Sequence, residues 1–209
     1  MPTDIASIRN EYSKEILSEE NVNDNPIEQF ENWVEQALAA EVREPNAMTL
    51  ATCSQNIPDA RIVLLKGVSS EGLQFYTNYE STKGKQLAEN PNAALVFFWA
   101  ELERQVRVQG VVEKTTPEQS DDYFYTRPEA SQIGASASSQ SQVIDSREVI
   151  ENRFKALKEM GKIERPMHWG GYTLIPSVFE FWQGRRSRLH DRIRFVKKGN
   201  TWVKERLAP

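Results

Sequence analysis

The sequence predicts a mainly β, α+β protein with an antiparallel sheet, and three observations support this fold class. First, five short segments between residues 47 and 114 are rich in β-branched and aromatic residues and are joined by links of hairpin length. Second, helix-period patterns mainly flank this run instead of alternating with its strands. Third, 209 residues with 39% hydrophobic content are enough for one sizeable core. An antiparallel barrel or sandwich is therefore expected, rather than a parallel α/β sheet.

The predicted elements begin with a flexible polar arm over residues 1–25, and residues 26–209 are expected to form a single domain. The first helix starts where Asn25 supplies an N-cap and Pro26 a first-turn proline. Glu28 stands at the third helical position, so the start of this helix has the pattern of a capping box. Apolar residues then recur at helical spacing through the next three turns.

Further helices and strands follow from the same kind of signal. Helices are predicted over Thr82–Glu89, after Thr116, and in SREVIENRFKALKEMGK, which is expected to stop at Gly161. The strand segments between them are AMTLATCS, ARIVLLKGV, LQFYTN, AALVFFWA and RQVRVQGVVEK. Four more strands are expected near residues 172–175, 178–182, 193–197 and 201–206.

Positive charge is concentrated near the C-terminal end of an otherwise acidic chain. Residues 182–209 hold nine Lys/Arg and two Asp/Glu, a balance of +7, whereas the preceding 181 residues hold 17 basic and 28 acidic residues. The stretch WQGRRSRLHDR alone contains four arginines and one of the two histidines. A focused anion site fits this distribution better than binding to a nucleic-acid backbone, so no nucleic-acid partner is predicted.

Several function classes lack their sequence signals. No apolar run approaches the roughly 20 residues needed to span a bilayer, and no secretion signal is present, so no membrane partner is predicted. A single cysteine, Cys53, excludes an internal disulfide and is typical of a reducing cytoplasm. The chain has no phosphate loop, dinucleotide turn or nucleophile elbow. Its two histidines stand 22 residues apart, and no metal site is predicted.

Two stretches carry residue types that recognise anions. In YFYTRPEAS, Tyr123 and Arg127 share a face if helical, and Ser131 follows, a combination that suits a phosphate monoester. The alternative is a surface arginine stacked on a tyrosine. In RIVLLK, Arg61 and Lys66 are five apart, so a regular strand points them to opposite faces. Two different anionic ligands, a strand lying between two sites, or simply a strand with charged ends would account for this pair.

The basic stretch near the C-terminal end contains a third candidate site. On an extended chain His190 has Arg188 and Arg192 two residues away on either side, so the three side chains share one face. Such a group can hold an electron-rich substrate against an electron acceptor, and Trp182 lies nearby. The alternative is a solvated basic loop in which Asp191 pairs with one of the arginines.

Taken together, ten collinear stretches resemble the pyridoxamine 5'-phosphate oxidase family over residues 26–209. They are RIVLLK, FYTN, NPNAALVFFW, LERQVRVQG, YFYTRP, SQIGA, QS, WGGY, EFWQGRRSRLHDR and RLAP. The resemblance implies a Greek-key FMN-binding split β-barrel with flanking helices, which forms a homodimer with FMN at each of two subunit interfaces. It also implies oxidation of pyridoxine or pyridoxamine 5'-phosphate to pyridoxal 5'-phosphate, with O2 regenerating the flavin and H2O2 released.

The functional positions of the family can be placed on the matching residues of this chain. The resemblance implies contact with FMN for Arg61, Ile62, Val63, Leu64, Lys66, Tyr76, Thr77, Thr82, Lys83, Gln105, Gln140, Ser141, Trp182 and Arg192. It implies contact with the substrate for Lys66, Tyr123, Arg127, Ser131, Arg188, Leu189, His190, Arg9 and Tyr12. In this scheme the phosphate is held by Lys66, Tyr123, Arg127 and Ser131. Arg188 and His190 cover the pyridine ring, and Arg9 and Tyr12 close over the substrate. Arg188 and His190 are the predicted catalytic residues.

The chain departs from the family pattern at two positions. Thr82 stands where an arginine is expected at the FMN phosphate, and Ser136 stands where a tryptophan is usual. The first departure predicts weaker retention of FMN, and the second predicts altered local packing. Two other functions stay open at this point: a split-barrel FMN oxidoreductase with a different substrate, and a non-catalytic protein that binds flavin or pyridoxal phosphate.

Overall fold

The computed structural model describes residues 11–209. Over these residues the chain forms five α-helices and nine β-strands. The helices are α1 (Pro26–Ala39), α2 (Thr82–Glu89), α3 (Pro117–Thr126), α4 (Glu129–Ala137) and α5 (Arg147–Met160). The strands are β1 (Ala47–Ser54), β2 (Ile57–Leu64), β3 (Gly67–Ser69), β4 (Gly72–Asn78), β5 (Asn92–Trp99), β6 (Arg104–Lys114), β7 (Trp169–Gln183), β8 (Asp191–Lys198) and β9 (Thr201–Arg206). No helix among residues 11–209 is both long and apolar enough to cross a membrane.

The strands form one mainly antiparallel sheet, which confirms the predicted fold class. The strand order is β2-β1-β5-β6-β7-β4-β3, with β8 paired to β7 and β9 paired to β8. Strand β7 pairs antiparallel with β4 through its first half, up to Leu174 opposite Leu73, and with β8 through its second half, from Val178 opposite Val196. The two strands predicted near residues 172–175 and 178–182 are thus one strand. Pro176 has no backbone N–H to donate, and it falls where β7 changes partner.

The chain divides into two compact units, and each has buried aromatic residues of its own. The first unit consists of the described part of Met1–Met48, Leu95–Gln109 and Pro176–Pro209. The second unit consists of Thr49–Ala94 and Gly110–Ile175. In the first unit the rings of Phe30 and Phe97 lie 4.9 Å apart, and in the second those of Phe75 and Tyr172 lie 5.5 Å apart. The prediction of a single domain over residues 26–209 stays a prediction.

Local signals account for most helix boundaries. Asn25 caps α1, because its side chain accepts a hydrogen bond from the Ile27 N–H at 3.0 Å. Thr116 and Gln119 form a reciprocal capping box at the start of α3, where a helix was predicted. Helix α4 was not predicted, since it begins after Pro128 without a side-chain cap and is rich in small residues.

The described part of the predicted arm, from Glu11 to Asn25, belongs to the first unit and packs against other parts of it. Leu17 and Val22 are buried, and Arg206 of β9 forms an ion pair with Glu19 at 2.6 Å. That arginine lowers the pKa of Glu19 to about 2, chiefly through its hydrogen bond. These contacts join the segment before α1 to the last strand of the chain.

Candidate functional site

The second unit contains a cavity of about 800 Å³, a size that can hold drug-sized ligands. Its lining comes from β2, β4, the start of β7, the helices α2, α3 and α4, and the residues that link them. The cavity brings together twelve of the residues predicted from the sequence: Arg61, Ile62, Val63, Leu64, Lys66, Tyr76, Thr77, Lys83, Tyr123, Arg127, Ser131 and Gln140. Among the described residues that line it, four are Arg or Lys and none is Asp or Glu.

Arg61 and Lys66 both line this cavity, contrary to the expectation that they face opposite ways. Strand β2 ends at Leu64, so the alternation of a strand does not extend to Lys66. The two side chains differ in their contacts. Arg61 donates hydrogen bonds to four acceptors, on Leu50, Thr52, Asp59 and Gln86, which hold its guanidinium in place, whereas Lys66 is exposed.

Arg127 lies directly after α3 and not within it, because its ψ of 149° is extended and Pro128 follows. The helix-face argument for pairing it with Tyr123 therefore does not apply, although both residues line the cavity. The Nη1 atom of Arg127 is buried and has no hydrogen-bond partner among the described residues. Burial without a compensating anion lowers the pKa of this guanidinium. Ser131 stands nearby in the first turn of α4.

Three stacked aromatic rings form one wall of the cavity. Tyr76 lies 4.0 Å from Tyr123 and 5.7 Å from Trp169, measured between ring centroids. The guanidinium carbon of Arg127 lies 4.6 Å from the Trp169 ring. Trp169 was quoted in the motif WGGY but not predicted as a site residue. The two glycines after Trp169 are the sequence signal that could have identified this wall of the cavity. A side chain at Gly171 would collide with Tyr76, because its Cβ would lie 2.7 Å from Tyr76 Cε1.

Lys83 enters the cavity from the first turn of α2, which Ser81 caps. Its Nζ atom donates to Gln140 Oε1 at 3.2 Å and to Ser81 Oγ at 3.4 Å. Burial, together with the charge of Arg61, lowers the pKa of Lys83. Two neighbouring predicted residues, Thr82 and Ser141, are exposed and are not among the residues that line the cavity.

The remaining predicted residues within the described range belong to the first unit: Tyr12, Gln105, Trp182, Arg188, Leu189, His190 and Arg192. The predicted residue Arg9 lies outside the described residues. The His190 ring lies 4.6 Å from Trp182 and 5.7 Å from Tyr12, and its Nδ1 accepts a hydrogen bond from the Arg185 N–H at 3.1 Å. Burial, followed by the charge of Arg188, lowers the pKa of His190. Gln105 is half-buried in β6, and Leu189 is exposed.

Arg188 and Arg192 have different surroundings, although both flank His190 in the sequence. Arg188 is exposed in a short turn where its φ is 61° and that of Ser187 is 56°, so two consecutive residues are left-handed. Arg192 belongs to β8 and donates to Glu180 from Nε at 2.9 Å and from Nη2 at 2.8 Å. The 8% exposed side chain of Glu180 also accepts from Arg107 at 3.1 Å. Glu180 was not predicted, since it lies 12 residues before its partner.

Comparison with known proteins decides the family. Residues 34–161 match the model of the family described as pyridoxamine 5'-phosphate oxidase. The chain belongs to this family. Residues 169–209 also match a model described as the pyridoxine 5'-phosphate oxidase C-terminal dimerisation region, which supports a homodimer.

Curated relatives of the family match the whole chain. Pyridoxine/pyridoxamine 5'-phosphate oxidase from Trichormus variabilis is 53% identical over 100% of both chains, and the protein of the same name from Burkholderia thailandensis is 54% identical over 99% of this chain and 100% of its own. Among solved structures, PhzG from Burkholderia lata, in complex with tetrahydrophenazine-1-carboxylic acid, is 29% identical with a TM-score of 0.89, covering 93% of this chain and 98% of that one. An FMN-binding protein related to pyridoxamine 5'-phosphate oxidase, from Nostoc punctiforme, has a TM-score of 0.69 at 16% identity, covering 86% of this chain and 97% of its own, and therefore shows the fold alone.

One departure from the pattern of the pyridoxamine 5'-phosphate oxidase family coincides with open space. Ser136, which stands where a tryptophan is usual, lines a second cavity of about 480 Å³ in the second unit. Its hydroxyl donates to the Gln132 backbone oxygen at 3.3 Å, inside α4. The small side chain thus borders this open space together with His168.

Proposed function

We propose that the protein is an FMN-dependent oxidase that converts pyridoxine or pyridoxamine 5'-phosphate to pyridoxal 5'-phosphate, with O2 as electron acceptor and H2O2 released. With the amine substrate the reaction also consumes one water molecule and releases ammonia. Relatives that carry this activity in their names match the chain over its whole length at 53–54% identity. The single cysteine supports a cytoplasmic setting for the reaction. The observation that carries the proposal is the buried Nη1 of Arg127, which has no partner among the described residues and belongs to a cavity-lining side chain.

The lining of the cavity suits a phosphate monoester. Arg127, Tyr123 and Ser131 provide a guanidinium, a phenol and a hydroxyl, and Lys66 adds a second cation. No carboxylate of the described lining competes for these donors. Charge-assisted hydrogen bonds to the phosphate would also offset the burial that lowers the pKa of Arg127. In the proposed reaction these residues fix the substrate by its phosphate, so that its reacting carbon is held in one place.

Another part of the same cavity suits FMN. Arg61 is held by four acceptors, and Lys83 and Gln140 lie within hydrogen-bond distance of each other. Ile62 and Leu64 of β2 are 64% and 40% exposed, which leaves apolar surface for a flavin ring. Two anionic groups, one on FMN and one on the substrate, account for four cations in one cavity. The chemistry that FMN supplies when bound is acceptance of two electrons from the substrate and their delivery to O2.

His190 is proposed to orient the pyridine ring of the substrate together with Arg188. Because Nδ1 of His190 accepts a hydrogen bond from a backbone N–H, the neutral ring carries its proton on Nε2. The lowered pKa of His190 favours this neutral form near pH 7. The Nε2–H group can then donate to a polar substituent of the substrate.

The proposed assembly is a homodimer with FMN at each of two subunit interfaces, as the family resemblance implies. Six predicted residues of the first unit contribute to that interface site in the proposal: Gln105, Trp182, Arg188, Leu189, His190 and Arg192. Arg9 and Tyr12 are proposed to close over the bound substrate.

The test is a spectrum followed by a turnover assay. The purified protein is expected to be yellow, and on addition of pyridoxine 5'-phosphate in air it should form pyridoxal 5'-phosphate and H2O2 in equal amounts. A colourless protein that stays inactive with added FMN would contradict the proposal. A yellow protein that oxidises only other substrates would indicate a different FMN oxidoreductase, and a yellow protein without turnover would indicate a carrier.

A further inference from the structure

Trp169, the first residue of β7, contacts two of the four phosphate-binding candidates of the cavity, Arg127 and Tyr123. The guanidinium carbon of Arg127 lies 4.6 Å from the centre of its ring. The ring of Tyr123 lies 6.2 Å from it at an interplanar angle of 10°. Trp169 itself is only 6% exposed, so its position is set by packing and not by solvent. The indole ring of Trp169 thus contacts both Arg127 and Tyr123, which lie more than 40 residues earlier in the chain.

Two hydrogen bonds hold the backbone of Trp169, one to its N–H group and one to its carbonyl oxygen. Its N–H donates to Pro166 at 2.9 Å, and its carbonyl oxygen accepts from Arg165 Nη1 at 2.7 Å. Arg165 also donates from Nε to Asp121 at 2.7 Å, and Asp121 lies on α3 two residues before Tyr123. The ion pair therefore joins the start of β7 to the helix that carries Tyr123. The Arg165 side chain is 11% exposed and the Asp121 side chain is 44% exposed, so solvent reaches this pair from the Asp121 side.

Arg127 has few other contacts that could orient it. Among the described residues its guanidinium forms no ion pair, and its Nη1 is buried without a partner. Its Cζ atom is 5.7 Å from the Phe124 ring, farther than from Trp169. A planar guanidinium stacked on an aromatic ring keeps its edge donors free for a bidentate anion. Of the two rings near the Arg127 guanidinium, Trp169 is thus the closer.

We propose that Trp169 is a positioning residue for the substrate phosphate: it holds Arg127 and Tyr123 in the orientation that receives the phosphate, and it does not contribute to flavin binding. The inference rests on the proposed function, because it concerns the same site. In this role the ring face of Trp169 governs the affinity for the phosphorylated substrate and leaves kcat unchanged.

The test compares Trp169→Leu and Trp169→Phe in the FMN-loaded protein. Loss of a largely desolvated cation–π contact is expected to raise KM for pyridoxine 5'-phosphate about tenfold in Trp169→Leu, with kcat within about twofold of the parent. Trp169→Phe keeps an aromatic face and should raise KM only about threefold. Inorganic phosphate, used as a competitive inhibitor, should lose affinity by the same factor as KM rises in each variant.

Trp202→Leu is the matched control. Trp202 belongs to β9 in the first unit, and it also has a cation near its ring, Lys197 Nζ at 5.8 Å. Its removal should leave KM, phosphate inhibition and the visible absorbance per protein unchanged. Flavin content should also be unchanged in both Trp169 variants, since the proposal assigns the ring to the substrate alone.

The outcomes separate this inference from the proposed function. A parent protein that does not oxidise pyridoxine 5'-phosphate contradicts the proposed function, whatever the variants do. A parent that does so, with unaltered KM and phosphate inhibition in Trp169→Leu, overturns the role of Trp169, as does a loss of flavin in that variant. If Trp169→Leu does not fold, Trp169→Phe and Asp121→Asn decide: each should raise KM about threefold, and unchanged values in both would overturn the inference.

Discussion

The C-terminal basic segment (residues 182–209) and the cavity of the second unit both concentrate cations, but they differ in what those cations contact. In the segment, five of the nine basic side chains pair with carboxylates: Arg185, Arg192, Arg194, Lys204 and Arg206. In the cavity, only Arg61 of the four cations has an ion pair among the described residues, with Asp59. A count of charges along the sequence therefore points to the basic segment, whereas cationic donors without carboxylate partners point to the cavity that we propose as the anion site.

The difference has an energetic basis. A cation paired with a carboxylate has its charge compensated by the protein, whereas a half-buried cation without one is compensated only when an anionic ligand binds. Burial lowers the pKa of Lys83 and Arg127 in the cavity, as expected for cations that have no ion-pair partner. In the basic segment, by contrast, Arg206 stabilises the ionised form of Glu19 and lowers the pKa of that carboxyl to about 2.

The largest expected effect comes from removing an unpaired cation. Arg127→Ala should lower kcat/KM for pyridoxine 5'-phosphate about 100-fold, because charge-assisted hydrogen bonds are worth about 1.5–3 kcal/mol each. Arg194→Ala removes an arginine of the basic segment that pairs with Glu205, and it should change kcat/KM less than about twofold. Steady-state kinetics of both variants test the comparison, which fails if the two losses are similar.

A second change would remove the carboxylate from a cation of the basic segment, so that this cation is unpaired like those of the cavity. Glu180→Gln leaves Arg192 and Arg107 without their shared carboxylate, and it should lower the free energy of unfolding by about 2 kcal/mol and reduce flavin per subunit. Urea denaturation and visible absorbance measure the two quantities. Glu205→Gln, at a carboxylate whose side chain is 35% exposed, is the control and should cost less than about 1 kcal/mol. Equal losses would mean that burial of Glu180 does not matter.

A third change would add a cation beside the cavity. Thr82→Arg restores the residue that the family pattern predicts, and it should tighten FMN binding about tenfold through a charge-assisted contact with the phosphate. Fluorescence titration of the flavin-free protein measures the dissociation constant. FMN affinity equal to that of the parent would show that the exposed position of Thr82, outside the cavity lining, makes its identity unimportant.

The smallest effect concerns pH. In the proposed complex the FMN phosphate favours protonated Lys83, so FMN affinity should be full below the lowered pKa of this residue and fall about threefold as pH rises through it. Lys83→Arg keeps its charge over this range and should give a flat profile. FMN dissociation constants measured from pH 7 to alkaline pH test this, and identical profiles would exclude Lys83 as the titrating group.

Much of the fold follows from local patterns, and most of the cavity follows from motifs. The strand-rich run, the capping box at Thr116 and the stop at Gly161 are readable because each depends on neighbouring residues. The contact between Arg127 and Trp169 is not readable, since 42 residues separate them and only the tertiary fold brings them together. The same applies to Glu180, whose importance depends on pairing with both Arg107 and Arg192.

The continuity of β7 has an evolutionary consequence. Side chains alternate along a strand, so inserting or deleting one residue within β7 would turn all side chains on one side of the change to the opposite face. Trp169 at its start and Trp182 near its end are separated by thirteen positions of unbroken strand. Alignment of relatives should therefore show almost no length variation between these two tryptophans. The number of residues between the two tryptophans is then conserved among relatives, whichever residues occupy the positions between them.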